Sequence, residues 1–516
     1  NTIITGALAT EIAVMGTIIA NVHSLLDYDT QVAGGYVNVP TETEIIKNIN
    51  KKDDSYFRLQ NTRAYESNDN LAMVEGYNGV STFHSFYNTE INDFCIMSQV
   101  MKSNNTWTGS DFLKRANLEE FLGIKYYVSK ESETTYNYGS QKVVFNHNIP
   151  LQYERIDDPN DEDGYRVYKN KYQINFATSY DTVYMKNECS SSYYNNFYTG
   201  YQSDVIRNEE AYFKGVILNN DDALEVTASS SDFTLVRSAP SREAKKLSTT
   251  FTMYYSDRNF DPKNPYRDIV PENKLSSSAK IEESKVKNLQ LVIDCSSLGG
   301  FPESPDGIYY MIDYPVRSYW YNYNSTVFAV CKDSEGNPYV ETFDSYRYNS
   351  RDAGGAIRGL SVKPKVEKLI ICPNGTYYRN YVNVYYENYT DVFNRYQTSI
   401  DNGVSNIKCD VNSFEFDSNY LTNRFVCTQI AYTKGWSVKA IDESGVETEL
   451  KTYNAQGGFV GFVAPKGNVH YVMSYMTPYL KVGAIISITS FVLATGTSFG
   501  LYFLTRKTNK KERSHE

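Results

Sequence analysis

The stretch Val482 to Leu504, VGAIISITSFVLATGTSFGLYFL, holds no charged residue, and the basic segment Arg506 to Arg513 follows at once. At about 1.5 Å per residue such a run crosses a hydrocarbon core of roughly 30 Å. Buried helices of soluble proteins rarely run so far without a polar face, so residues 480–504 are read as a transmembrane helix. Short tails rich in Lys and Arg are retained on the cytoplasmic side. Residues 505–516 are therefore expected inside the cell, and everything before Lys481 on the outer face.

A second apolar run, Ile3 to Val22, opens the chain, with Glu11 near its middle. No basic segment precedes it and no small-residue cleavage site follows, which argues against a signal peptide. A carboxylate at mid-bilayer depth costs several kcal/mol unless it is paired. Residues 1–24 are thus expected to be the last helix of a membrane bundle whose other helices are not in this sequence. Glu11 faces that bundle's interior, and the lipid bilayer is the chain's first partner.

The polar middle is long. A chain of 516 residues carries about three domains on a prior of about 150 residues each. Net charge is −10 with Lys and Arg dispersed, so nothing outside the C-terminal tail argues for nucleic acid. Seven cysteines show no CxxC pair and are too sparse for a disulfide scaffold; Cys409 and Cys427, which flank neighbouring strands, are the pair to check. Tyrosine is the outlier, 47 residues against 25 Phe and 3 Trp. That suits wet β-sheet surfaces, and also a sugar-binding face.

In chain order, Pro40 to Ile49 opens with an N-cap and early acids and reads as a helix; Tyr56 to Arg63 reads as a strand. Helical period returns over Ile91 to Met101 and Phe112 to Leu122, the latter ending at Gly123 before the strand Ile124 to Ser129. Between about 150 and 400 short β runs alternate with polar clusters: Gly164 to Ala177, Ala223 to Arg237, Leu289 to Cys295, Ser325 to Cys331 and Lys368 to Cys372. Spacing of this kind predicts an antiparallel β-sandwich. Val384 to Ile400 has the apolar spacing of an amphipathic helix. From Asn406 to Tyr479 strands recur about every ten residues. The fold class expected is a membrane-anchored α+β chain. Its parts are a transmembrane helix (1–24), an outer α/β subdomain (25–150), a β-sandwich (151–404), a small membrane-proximal all-β module (405–479), the last transmembrane helix and the tail.

The order Arg63, Asn70, Gly76-Tyr77-Asn78-Gly79, Ser81, Ser85 and Phe121-Leu-Gly-Ile-Lys-Tyr-Tyr-Val128 resembles the outer region of the bacterial YfhO family of multi-spanning membrane proteins. Val167-Tyr-Lys-Asn-Lys171, Thr433-Lys-Gly-Trp-Ser-Val438, Gly457 to Gly467 and Tyr475 to Gly483 continue the likeness in the family's order, up to the last helix. The resemblance implies a glycosyltransferase of the GT-C type, which takes sugar from a polyprenyl-phosphate carrier and decorates envelope glycopolymers such as teichoic or lipoteichoic acid. It also implies that the catalytic Asp lies in the multi-helix half, outside this sequence. No resident metal or cofactor is expected.

No self-contained catalytic signature stands beside that resemblance. The acidic loop Asp157 to Gly164 fails as an EF-hand, since Gly164 at position six puts Pro159 at position one and Asn170 at position twelve. Asp161-Glu-Asp163 has the DxD form, too short to decide anything in an acidic run. Five His include no HExxH; Gly79-Val-Ser81-Thr-Phe83 lacks the second glycine of a nucleophile elbow; no Walker or Rossmann loop occurs. Trp436 suits a buried anchor better than a sugar platform. Glycine-framed turns present groups at a defined place, so Tyr77, Asn78, Gly79, Ser81 and Ser85, with Glu11, are the candidate substrate contacts. The rival reading is a non-enzymatic, membrane-anchored surface module that binds glycan or protein.

Overall fold

A computed structural model describes residues 40–61, 72, 76–80, 88–98, 115–130, 134–138, 141–147, 149–156, 165–190, 202–247, 251–256, 273–274, 288–294, 304–314, 323–332, 335–336, 338–348, 356–363, 365–372 and 382–512. The chain divides into two compact units, residues 39–474 and the terminal segments 1–38 with 475–516.

Eight α-helices are described: α1 (Pro40–Lys52), α2 (Asn92–Met97), α3 (Ala116–Phe121), α4 (Lys186–Ser190), α5 (Gln202–Lys214), α6 (Asn220–Ser229), α7 (Tyr389–Asp401) and α8 (Leu480–Glu512). Strands dominate the rest of the larger unit and form several sheets, most of them antiparallel.

One sheet orders Arg58–Asn61, Ile124–Lys130, Tyr165–Asn170 and Tyr153–Ile156, its first pair parallel. Ile45, Ile46 and Ile49 of α1 cover it, packing on Leu59, Tyr126, Val128 and Val167. The helix-to-strand corner into Ile124–Lys130 is made by Gly123 at φ +68°, with a Cβ there 2.2 Å from Gln429 Oε1. Only glycine takes that left-handed corner at so close an approach.

An eight-stranded sheet built around Asn288–Asp294, Lys365–Cys372 and Tyr323–Lys332 packs on a four-stranded one, ordered Lys245–Leu247, Asn383–Asn388, Ile308–Tyr314 and Ala356–Val362. Two-residue alternation assigns the faces of Ile308–Tyr314. Ile308, Tyr310 and Ile312 meet Leu291, Ile293, Val327, Leu369 and Ile371, while Tyr309 and Met311 join the core around α5 and α7. The four-stranded sheet is therefore buried on both faces, which sets α7 against it.

Strands from Ser405 onward recur as expected. Trp436 packs half-buried on Phe414 at 6.1 Å between ring centres. The sheet holding Arg424–Ala431 and Phe459–Ala464 also takes in Ala177–Tyr180, from far upstream.

Three expectations need correction. Ala223 to Arg237 is not a strand: α6 fills its first half, because Asn219 caps the helix by accepting the Asp222 N–H at 2.9 Å and Ala223 and Val226 bury one face. Only Thr234–Val236 is extended. Val384 to Ile400 is a strand to Asn388 and a helix only from Tyr389, since pairing with Ile308–Tyr314 claims the first half. Cys409 and Cys427 are both free thiols, one exposed and one buried.

In the second unit α8 is the described element. Its apolar part, Leu480–Leu504, has mean hydropathy 1.6 and no buried residue. Side chains such as Ile485, Phe491 and Phe503 are more than half exposed, a surface that water disfavours and a bilayer accepts. The run Ile3 to Val22, including Glu11, and the acidic loop 157–164 lie outside the described residues.

Candidate functional site

The Gly76 to Gly79 turn sits at the edge of the sheet that α1 covers. Gly76 and Tyr77 donate their N–H groups to the Ala72 carbonyl at 3.0 and 3.1 Å. The Asn78 carbonyl accepts from Leu59 N–H at 2.9 Å, and its side-chain amide donates to the Phe57 carbonyl at 3.1 Å. Gly79 passes so close to Ala72 that an added Cβ would lie 2.6 Å from the Ala72 Cβ. Tyr77 lies half-buried on the core beside Phe57 and Leu59. The turn therefore extends the sheet edge, and Asn78 is held by backbone on both sides. Ser81, Ser85 and Glu11 are outside the described residues.

A richer constellation lies elsewhere in the same unit, at a cleft of about 500 Å³ between the end of α5, the edge strand Lys245–Leu247, the strand Asn383–Asn388 and α7. It begins with helical periodicity. On α5, Val205, Ile206, Tyr212 and Phe213 bury one face, and the 3.6-residue repeat puts Glu209 and Glu210 inside that stripe. Glu387 is buried on its strand, opposite Tyr309. On α7, Tyr389, Val392, Tyr396 and Ser399 are buried, and Arg395 stands beside Tyr396.

These charges find one another. Arg395 donates to Glu387 Oε1 at 2.8 Å, to Glu387 Oε2 at 3.1 Å, to Glu243 Oε2 at 3.0 Å and to Asn117 Oδ1 at 3.0 Å, with its guanidinium over the Phe213 ring. Lys214 pairs with Glu243 at 3.0 Å and Glu210 at 3.5 Å. Glu210 also accepts the backbone N–H groups of Glu243 and Ala244. Behind them Arg115 and Glu209 form a fully buried pair. Burial and the Glu387 charge raise Glu210 above the usual carboxylate range, and burial raises Glu209 despite Arg115. Burial opposes the charge on Arg395, but Glu387 outweighs it, so the guanidinium stays charged at any working pH.

Glu210, Glu243 and Glu387 bring carboxylate oxygens within 4.8 Å of one another, the spacing of a cation site. Their donor set does not fit one: Lys214 and Arg395 already hold these carboxylates, and two backbone amides occupy Glu210. The cluster is an internal ion network forming the floor of a polar cleft. Sequence reading missed it, although two glutamates within the apolar stripe of α5 are its visible signal.

The model of the bacterial membrane protein YfhO family matches residues 12–279 and 359–487. This chain belongs to the YfhO family. Every residue lining the cleft falls within those matched segments. The uncharacterised protein YfhO of Bacillus subtilis is 24% identical over 475 residues, which is 90% of this chain and 45% of that protein. The chain thus spans less than half the length of that family member. Among solved structures, discoidin II of Dictyostelium discoideum aligns with 45% of this chain and 98% of its own at 11% identity and a TM-score of 0.15. An oxalate decarboxylase of Bacillus subtilis aligns with 36% of this chain and 65% of its own at 8% identity and a TM-score of 0.09. Neither likeness bears on the fold of this chain or on its ligands. Family membership makes it a membrane protein, and α8 is the described helix that can cross a bilayer.

Proposed function

We propose that this chain is the C-terminal, outer-face part of a YfhO-type glycosyltransferase that moves sugar from a polyprenyl-phosphate carrier to an envelope glycopolymer such as lipoteichoic acid. The observation that carries the reading is the family match, which covers residues 12–279 and 359–487 and so reaches the start of α8. Residues 1–24 act as the last helix of a membrane bundle supplied by the remainder of the longer protein. Residues 25–479 stand outside the membrane, 480–504 are the final anchor, and 505–516 remain in the cytoplasm. The basic segment behind α8 and the lone Glu11 within an apolar run support this orientation. By resemblance, the catalytic carboxylate belongs to the bundle.

The Tyr77 to Ser85 loop contributes to substrate positioning at the outer face. Asn78 also braces the edge of a sheet, so a test needs a folding readout beside activity. Deleting the gene and complementing it with the full-length protein should restore the sugar content of the lipoteichoic or teichoic acid, read by NMR of the purified polymers. Complementation with Tyr77→Ala/Asn78→Ala should leave the protein in the membrane and lower that content. Polymers of unchanged composition after the deletion would end the transferase reading, and full complementation by the double variant would remove the loop from the site.

A further inference from the structure

We propose that one end of the small all-β module, the end carrying Val411, Lys434 and Ser474, rests on the outer face of the bilayer, with Val411 among the lipid headgroups and Lys434 against their phosphates. The larger unit hands the chain over at Ser474, and α8, whose first part is long and apolar enough to cross a bilayer, begins at Leu480. Six residue steps span at most about 22 Å. The link is shorter than that, because Leu480 N–H donates to the Thr477 carbonyl at 3.2 Å and so folds it into a turn. With α8 in the membrane, the residues around Ser474 are tethered close to the lipid surface.

Strand register identifies those residues. In the sheet ordered Ser405–Asp410, Ser413–Tyr420, Gly467–Tyr475, Trp436–Asp442 and Glu447–Leu450, Ser413 lies opposite Ser474 and Tyr420 opposite Gly467. Val411 and Asn412 make the hairpin tip between the paired Asp410 and Ser413, so they extend the Ser474 end. Ser437 Oγ lies 3.1 Å from Ser474 Oγ, which brings the turn closed by Trp436 N–H on the Thr433 carbonyl to the same end, and Lys434 with it. The opposite end carries Leu421, next to Tyr420, and Val446, in the turn whose Glu443 accepts from Asn468. Seven steps of about 3.3 Å along Ser413–Tyr420 put the two ends about 23 Å apart.

The near end has the chemistry of a headgroup contact. Tyr56 and Trp436, both half-buried, pack on Phe414 at 5.6 and 6.1 Å between ring centres and close the core there. Lys434 is exposed beside them and has no carboxylate partner among the described residues, whereas Lys408 and Lys439 of the same sheet pair with Glu415 and Glu447. An uncommitted ammonium next to half-buried aromatic rings suits the interface, where the cation meets phosphate and the rings stay partly apolar. Asp410, the acid beside the tip, is engaged with the hairpin itself, accepting the Val411 N–H at 2.7 Å. Exposure does not distinguish the apolar tips, since Val411 is 90% exposed and Leu421 95%. They differ in their distance along the sheet from Ser474, and Leu421 is therefore an internal control.

This contact rests on the reading of α8 as the final anchor and is independent of sugar transfer. The test uses the full-length protein in phosphatidylglycerol nanodiscs, with Cys409→Ser to remove the exposed native thiol. An environment-sensitive nitrobenzoxadiazole probe is attached in turn to Val411→Cys, Leu421→Cys and Val446→Cys, and Cys409→Ser alone sets the background. The probe at position 411 should emit at shorter wavelength and be quenched by lipid carrying a nitroxide on its headgroup, while the probes at 421 and 446 should emit as in water. Lys434→Glu sets a carboxylate against the phosphates, so it should weaken the quenching at 411 without lowering the melting temperature. A probe at 411 that stays in water, equal quenching at 421, or undiminished quenching in Lys434→Glu overturns the proposal. Alkaline carbonate washing of cell membranes separates the two readings. A chain that washes off refutes the anchor and this contact together, whereas a retained chain whose 411 probe is wet refutes the contact alone.

Discussion

Glu120 gives the sharpest prediction, because its substitution should change sign with pH. The side chain is fully buried at the end of α3, where Oε1 accepts the Ile174 N–H at 2.9 Å and Oε2 accepts from Asn170 Nδ2 at 2.7 Å. Burial, the dominant cause, outweighs both hydrogen bonds and raises its pKa from 4.5 to about 8. The folded protein therefore holds this proton more tightly than the unfolded chain does. Its contribution is fully present below about pH 4.5, is lost as pH rises toward 8, and levels off beyond. At about 1.4 kcal/mol per pH unit that gap amounts to about 5 kcal/mol. In Glu120→Gln the pH dependence disappears, but an amide NH₂ cannot accept, so one of the two donors loses its acceptor at a cost of about 2 kcal/mol. The variant should be less stable than wild type by about 1 kcal/mol at pH 5, equal near about pH 6, and more stable by about 2–3 kcal/mol at pH 9. Urea titrations of both proteins in detergent, followed by circular dichroism of the β-sheet band, read the crossing directly. Two stability curves that run parallel from acid to alkaline pH would refute the assignment of a buried neutral carboxyl to Glu120.

Arg115 and Glu209 are wholly buried, so Arg115→Ala should cost about 3–5 kcal/mol in urea titration, with Arg115→Met/Glu209→Leu recovering most of the loss; additive costs in the double variant would deny the coupling. Gly123→Ala combines a left-handed φ with a collision at Gln429 and should cost about 2–4 kcal/mol, whereas a loss below about 0.5 kcal/mol would mean the corner relaxes freely. Cys409 is exposed, whereas Cys95, Cys189, Cys331 and Cys427 are buried, with burial pushing the Cys95 thiol up to about 12. A variant keeping only Cys409 should react in intact cells with a membrane-impermeant maleimide. Labelling only after lysis would put residues 25–479 on the inner side.

Much of the fold was legible because local signals and tertiary packing agreed. The strands at Ile124, Leu289, Ser325 and Lys368 and the series after Asn406 carry apolar or aromatic runs bounded by turn residues, and each is a strand. Pro40 opens a helix, as its early acids predict. Misreadings fell where two signals competed. Residues Ala223 to Arg237 hold enough β-branched and aromatic residues to look extended, but the Asn219 cap and the buried Ala223 and Val226 made the first half helical. Val384 to Ile400 has helical spacing throughout, yet its first residues lie within reach of an unpaired sheet edge and joined it. The cleft left only one trace in the sequence, the two glutamates within the apolar stripe of α5, because Lys214, Glu243, Glu387 and Arg395 come from separate elements and no spacing rule links them.

Composition and order along the chain determined that one end is greasy enough for a bilayer, that the middle is rich in strands, and that the whole resembles a known membrane family. Those properties depend on hydrophobicity and short-range pattern, which survive without knowledge of contacts. The tertiary structure alone decided which carboxylates are buried, that Asn78 braces a sheet edge, and that Arg395 closes an ion network under a polar cleft. Such facts rest on desolvation and on pairings between residues up to hundreds of positions apart, and the energy of a buried charge depends on its neighbours in space rather than its neighbours in sequence.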